Sequence, residues 1–347
     1  MKKAKYLLAY LLPVLVGFSF LNEGCITFLP LIVYFGLLPL IELFIKPDSS
    51  NWDPEQIEIE KKSLFYDIII FGMVPVQLFF LVWFLSFDFS STDLITNTGR
   101  VISMGIMCAV IGINVGHELA HRVQSWHRYL GDILLLTSLE NHFVPYHNRG
   151  HHTNVATPGD PATARLNEPL YFFWFRSQIG SYIQAWQIEI QRMKIMKKPS
   201  FSIHNKMIRY TIAHLVLCFG IFFFINFVAL LYFLTAAIIG ILLLETVNYI
   251  EHYGLLRKVL PSGQFERVKR HHSWNSNHVL GRIVLFELSR HSDHHYKADK
   301  PYQILESHEE SPCMPVGYPS MMLLSLIPPL FFYLMNDRVK LALEAKE

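Results

Sequence analysis

Nine of the 17 histidines sit in four short groups: His117-Glu-Leu-Ala-His121, His147-Asn-Arg-Gly-His151-His152, Glu251-His252 and His291-Ser-Asp-His294-His295. A single histidine is ordinarily a hydrogen-bonded interior or surface residue. The repeated HxxxH spacing has no packing use, and ionisable groups at the edge of apolar helices are costly and usually functional. The set therefore reads as metal ligands. One ion cannot use nine nitrogens, so two ions are implied. Two zinc ions would want four ligands each, leaving one histidine spare and both sites closed. Two iron ions with four or five imidazoles each use the set and keep an open position for dioxygen. All-nitrogen ligation also differs from the Glu-rich di-iron bundles.

Helical spacing places these ligands. His117 and His121 share a face, as do His147 and His151, with His152 turned about 100° away. His291, His294 and His295 form an i, i+3, i+4 stripe, and His252 closes a long apolar helix. Ligand imidazoles pass their outer N–H to a carboxylate or carbonyl. Glu118, Asp160, Glu251 and Asp293 are the nearest carboxylates, and Asn248 and Arg165 can support the site or cap helices. His272 and His278 are close enough in sequence to do the same.

The elements that must carry these residues are apolar. Six blocks stand out, at about 6–21, 26–45, 65–87, 101–116, 211–227 and 228–247, against a spanning requirement of roughly 20 apolar residues. The first two and the last two read as tight helical hairpins. Lys2, Lys3 and Lys5 precede the first block, and Lys46, Lys61 and Lys62 follow the second, whereas 22–25 and 88–99 hold no Lys or Arg. The positive-inside rule then puts both termini, 117–210 and 248–347 on the cytoplasmic side, with the histidines. The N-terminal block has no small-residue cleavage site after it and reads as a retained anchor. The run 321–335, broken by Pro328 and Pro329, suits an interfacial or re-entrant segment. Residues 257–267 suggest a small hairpin. The expected fold is a single all-α membrane domain, six transmembrane helices with a helical cytosolic cap carrying a histidine-rich di-iron site.

Composition excludes other classes. The chain has 347 residues, 52% hydrophobic and 17% charged, with net charge +2; nucleic-acid binding would want a basic patch. The four cysteines, Cys25, Cys108, Cys218 and Cys313, are too scattered for a disulfide framework or a thiolate metal site. No dinucleotide fingerprint or P-loop occurs.

The layout HxxxH, HxxxHH, HxxHH resembles the membrane fatty-acid desaturase and hydroxylase superfamily. The phrases HNRGHHTNVATPGDPATAR (147–165), NYIEHYGL (248–255), HSWNSN (272–277) and RHSDHH (290–295) narrow the resemblance, over about 46–305, to the integral-membrane alkane 1-monooxygenase family. The resemblance implies a di-iron, dioxygen-dependent hydroxylase of the terminal methyl of n-alkanes in a bacterial inner membrane. Electrons would come from rubredoxin, reduced by an NADH-dependent rubredoxin reductase, and the iron ligands would be the nine histidines. The alkane would enter from membrane lipid into a narrow tube, its depth set by aromatics such as Tyr34, Phe35, Phe71 and Phe80.

Three rival readings remain. His117-Glu-Leu-Ala-His121 also fits the HExxH zinc protease motif, with Glu118 as base, but that reading needs one further ligand and leaves six histidines idle. A metal transporter would want ionisable residues deep in the spans, which are nearly free of them. A relative acting on fatty acyl or aryl-methyl substrates differs only in what it oxidises.

Overall fold

The computed structural model describes residues 3–344. In chain order the helices are α1 (Ala4–Leu21), α2 (Gly24–Glu42), α3 (Pro54–Lys61), α4 (Leu64–Leu85), α5 (Leu94–Ala120) and α6 (Ser125–Leu136). Next, Phe143–Tyr146, His147–His151 and His152–Asn154 run on as one helical segment, α7. There follow α8 (Leu170–Ile195), α9 (Lys206–Phe224), α10 (Phe227–His252), α11 (Val279–Val284), α12 (His291–Tyr296), α13 (Tyr318–Ser325) and α14 (Pro328–Glu344). No strand is formed among the described residues. The expected hairpin at 257–267 is reduced to one antiparallel bridge, Val259 with Phe265, around Gly263 at φ +78°.

Helices α1, α2, α4, α5, α9 and α10 are long and apolar enough to cross a membrane, and they match the six blocks expected from hydropathy. The starts of α5, α9 and α10 are capped by short polar side chains. Asp93 accepts from the Thr96 N–H at the head of α5, and Asn205 from the Met207 N–H at the head of α9. Asn226 accepts from the Ala229 N–H, which turns α9 into α10. The broken run at 321–335 becomes two helices, α13 and α14, parted at Pro328 as a proline that cannot continue a helix requires.

The chain divides into two compact units. Of the described residues, the first holds those up to Leu37, Ser63–Val144 and Glu189–Leu244; the second holds Leu38–Lys62, Pro145–Ile188 and those from Glu245 on. In the first unit α5 is the central helix, 89% of its apolar window buried against 17% for α9. Helix α9 shows Leu215, Val216, Phe219 and Phe223 outward, as a lipid-facing helix should. Midway, α5 widens into a π-helical turn over Cys108–Val115. The Ser138 hydroxyl donates to the Cys108 carbonyl at 3.2 Å, in a stretch where the α-helical ladder is interrupted.

One turn later α5 crosses α6 at glycines. A Cβ on Gly131 would lie 2.8 Å from the Gly116 carbonyl oxygen. Gly131→Ala should therefore force the two helices apart next to His117. We expect a loss of about 1–3 kcal/mol from overpacking, seen as a lower unfolding temperature in detergent with helix content kept.

Candidate metal centre

In the second unit, His151, His252, His291 and His295 converge from α7, α10 and α12. All four are buried, and their ligand nitrogens lie within 4.8 Å of one another. Nε2 of His291 is 3.1 Å from Nε2 of His252 and 2.9 Å from Nε2 of His295. Two nitrogens each about 2.1 Å from one ion, at right angles, lie roughly 3 Å apart. Beside this group stands another: His147, His152 and His294 also bring their ligand nitrogens within 4.8 Å of one another. Nε2 of His147 and Nε2 of His152 are 3.0 Å apart. In the first unit, His117 and His121 meet at the end of α5, Nε2 to Nε2 3.0 Å, with their rings edge-on.

The partition differs from the simple face argument. His147–His151 is a π-turn, not an α-turn. A π-turn closes i to i+5, so His152 comes back over His147 and His151 is released to the other group. The three histidines of α12 also divide. His291 and His295, four apart, face one group, and His294 faces the other. The stripes expected to act as single faces thus serve two centres.

The partners of the imidazoles fix their tautomers. Asp160, buried, takes the His151 Nδ1–H at 2.9 Å. It also accepts from the Tyr146 hydroxyl at 2.6 Å and the Thr163 hydroxyl at 2.7 Å. Burial raises the Asp160 carboxyl, but the adjoining His151 and these hydrogen bonds outweigh it and hold the pKa at about 2. With its Nδ1 proton committed to a carboxylate, His151 presents a bare Nε2, and that buried atom has no hydrogen-bond partner among the described residues. Burial, reinforced by His151, lowers His294 to about 3, and burial with the neighbouring imidazoles puts His295 well below the usual histidine value. Neutral, desolvated imidazoles with converging lone pairs are a donor set that a transition-metal ion fits.

The remaining sequence candidates take other partners. Glu118 ion-pairs with Arg122 at 3.0 Å, and Arg122 also meets Asp67. Asn248 turns to Glu245, one turn back along α10. Asp293 receives Lys300, His308 and the Glu306 N–H, which brace α12 from behind. Glu251 accepts from the Tyr318 hydroxyl at 2.9 Å and puts its second oxygen 3.2 Å from His291 Nε2. His272 faces Glu266, and His278 pairs with Ser276. Phe71 packs on Trp126 and His127, and Phe80 on Phe20 and Trp83.

Sequence reasoning missed Tyr146, Thr163, Ser273 and Tyr318. Ser273 Oγ lies 3.4 Å from His252 Nδ1. Tyr146 directly precedes a ligand candidate, which is a weak signal; Tyr318 lies 67 positions from Glu251 and gives none. The phrase at 272–277 also acquires a role. The Trp274 indole donates to the Tyr253 carbonyl, just past His252, and its backbone N–H to the Glu251 carbonyl. Asn275 Oδ1 accepts from the Ser292 N–H inside α12. The segment thus ties the end of α10 to α12.

The sequence profile of the fatty acid desaturase family matches residues 96–322. Alkane 1-monooxygenase 1 of Alcanivorax borkumensis is 36% identical over 314 residues, 90% of this chain and 77% of its own. The alkane 1-monooxygenase of Ectopseudomonas oleovorans is 34% identical over 347 residues, 97% of this chain and 86% of its own. The hydroxylase component of the xylene/toluene monooxygenase of Pseudomonas putida is more distant, 28% identical over 237 residues, 68% of this chain and 62% of its own. With its six spanning helices and its histidine clusters, the chain is a multi-pass membrane monooxygenase and belongs to the alkane 1-monooxygenase family within the membrane fatty-acid desaturase and hydroxylase superfamily.

Proposed function

We propose that this protein hydroxylates the terminal methyl of n-alkanes to 1-alkanols, using dioxygen and two iron ions with electrons from rubredoxin. The observation that carries the reading is the convergence of buried imidazoles into groups in a chain of this family. His151, His252, His291 and His295 would hold one iron, and His147, His152 and His294 would contribute to holding the other, with His117 and His121 the remaining ligand candidates of the nine. Bound iron would supply the activation of dioxygen, which no side chain of the protein can perform.

The protein's own part is positioning and exclusion. Asp160 keeps the His151 lone pair aimed into the cluster. Burial keeps His294 and His295 unprotonated, so they need shed no proton to bind an ion. Burial also excludes water that would quench a reactive site. An alkane offers no polar handle, so shape and burial alone hold it, at about 0.8 kcal/mol per CH₂. Selection for the chain end then rests on a narrow, closed tube between apolar helices. The lysine distribution supports placing both termini on the cytoplasmic side of a bacterial inner membrane, where a soluble electron carrier and an NADH-dependent rubredoxin reductase are within reach.

The test is reconstitution in lipid with iron, rubredoxin, its reductase and NADH. Octane and hexadecane should give 1-alkanols, and metal analysis should find about two irons per chain, the number the imidazole count calls for. Product from lauric acid or xylene but not from either alkane would move the assignment to another branch of the superfamily. One zinc per chain would favour the HExxH reading.

A further inference from the structure

We propose that Glu251 is itself a ligand of the four-histidine group, a tenth donor and the one anionic donor at that ion. The inference rests on the iron-binding reading above and deepens it. Nε2 of His291 lies close to Nε2 of His295 at 2.9 Å, Nε2 of His252 at 3.1 Å and Oε2 of Glu251 at 3.2 Å. Three arrangements are open to that nitrogen, and they exclude one another. If Glu251 is a neutral acid, its own proton occupies the nitrogen's lone pair. With Glu251 ionised, two remain for the nitrogen. Carrying a proton, it donates to Glu251, and His291 then has no lone pair to offer where the other imidazoles converge. Bare, it sets its lone pair against a carboxylate oxygen at hydrogen-bond distance, which is repulsive unless a shared cation lies between them. If His291 is a ligand through Nε2, Glu251 is one too.

Burial points the same way. Glu251 is 1% exposed. Its Oε1 takes a neutral hydroxyl, that of Tyr318, at 2.9 Å. A buried carboxylate without a cation is strongly disfavoured, and a metal ion supplies the cation. The hydroxyl on the far oxygen is the support that ligating carboxylates usually receive. Separation also fits, since an oxygen and a nitrogen bound at right angles to one ion lie roughly 3 Å apart. The two ions would then differ in charge: one held by neutral imidazoles alone, the other with a carboxylate offsetting one of its two charges.

The discriminating variant is Glu251→Gln, which keeps a hydrogen-bond acceptor of the same length and removes the anion. Purified wild type, Glu251→Gln, Glu251→Ala and Tyr318→Phe are loaded with ⁵⁷Fe(II) and followed by chelator competition and Mössbauer spectroscopy. We expect both Glu251 variants to release one iron more than tenfold faster and to shift one of the two quadrupole doublets, the other doublet staying in place; Tyr318→Phe gives a smaller change of the same sign. Iron retention and both doublets unchanged in Glu251→Gln would show that Glu251 only accepts a hydrogen bond, and would overturn the proposal while leaving the two-iron reading intact. A wild type that takes up no iron would overturn both. If Glu251→Ala loses helicity by circular dichroism, Glu251→Asp carries the test, because it keeps the charge and retracts the oxygen, with the same release and shift expected.

Discussion

His252→Ala should remove iron and turnover together. The ring is fully buried at the end of α10. Its Nε2 stands 3.1 Å from Nε2 of His291, with Ser273 near its Nδ1. Alanine leaves a dry space that a weakly held water can only partly fill, and it takes one of four imidazoles. Loss of a partner behind a ligand costs about 10–100-fold in metal affinity or activity, so loss of the ligand should exceed the top of that range. The measurement is iron per chain by elemental analysis beside 1-octanol formation. His278→Ala is the control, since His278 pairs with Ser276 and stands outside both imidazole groups. Retained iron and turnover in His252→Ala would mean that the ligand assignment is wrong.

Asp160→Ala should give the second largest effect. Three donors, from His151, Tyr146 and Thr163, point at this carboxylate. Each buried donor left without an acceptor costs about 1–3 kcal/mol. His151 also becomes free to move its proton to Nε2, which closes that nitrogen to a metal. We expect iron affinity to fall by about 10–100-fold, with turnover following iron occupancy. Tyr146→Phe should fall well short of this, because Asp160 still has His151 and Thr163. Chelator competition on the three proteins checks the order, and equal affinity in wild type and Asp160→Ala would show that Asp160 does not orient His151.

The spans were legible because lipid demands about 20 apolar residues in a row, and this chain meets that demand six times. The nine histidines were legible because their spacing repeats. Their sorting into groups was not. It depends on a π-turn at His147–His151, and one hydrogen-bond register leaves no mark in residue spacing. The contact of Asp160 with His151 lay within reach of the sequence because only nine positions separate them, within one local stretch. Tyr318 was invisible for the opposite reason: it reaches Glu251 from a separate helix, α13, through tertiary folding alone. The turn at 257–267 was legible from its short alternating runs, and it closes as one antiparallel bridge with two backbone hydrogen bonds, Leu260 to Gln264 and Glu266 to Lys258, too short to extend into strands.

The four-histidine group draws on residues from His151 to His295. A ribosome emits the chain from its N-terminus, and folding of early parts begins before late parts exist. All six spanning helices end by His252, so every one of them has been made before the first residue of α12. During synthesis the nascent enzyme is thus a membrane-inserted scaffold with a half-built pocket, and the iron site proposed for the four-histidine group can be completed only near the end of translation. A message truncated before codon 291 should yield a protein that reaches the bilayer but lacks His291 and His295, and so cannot hold the iron proposed for the four-histidine group.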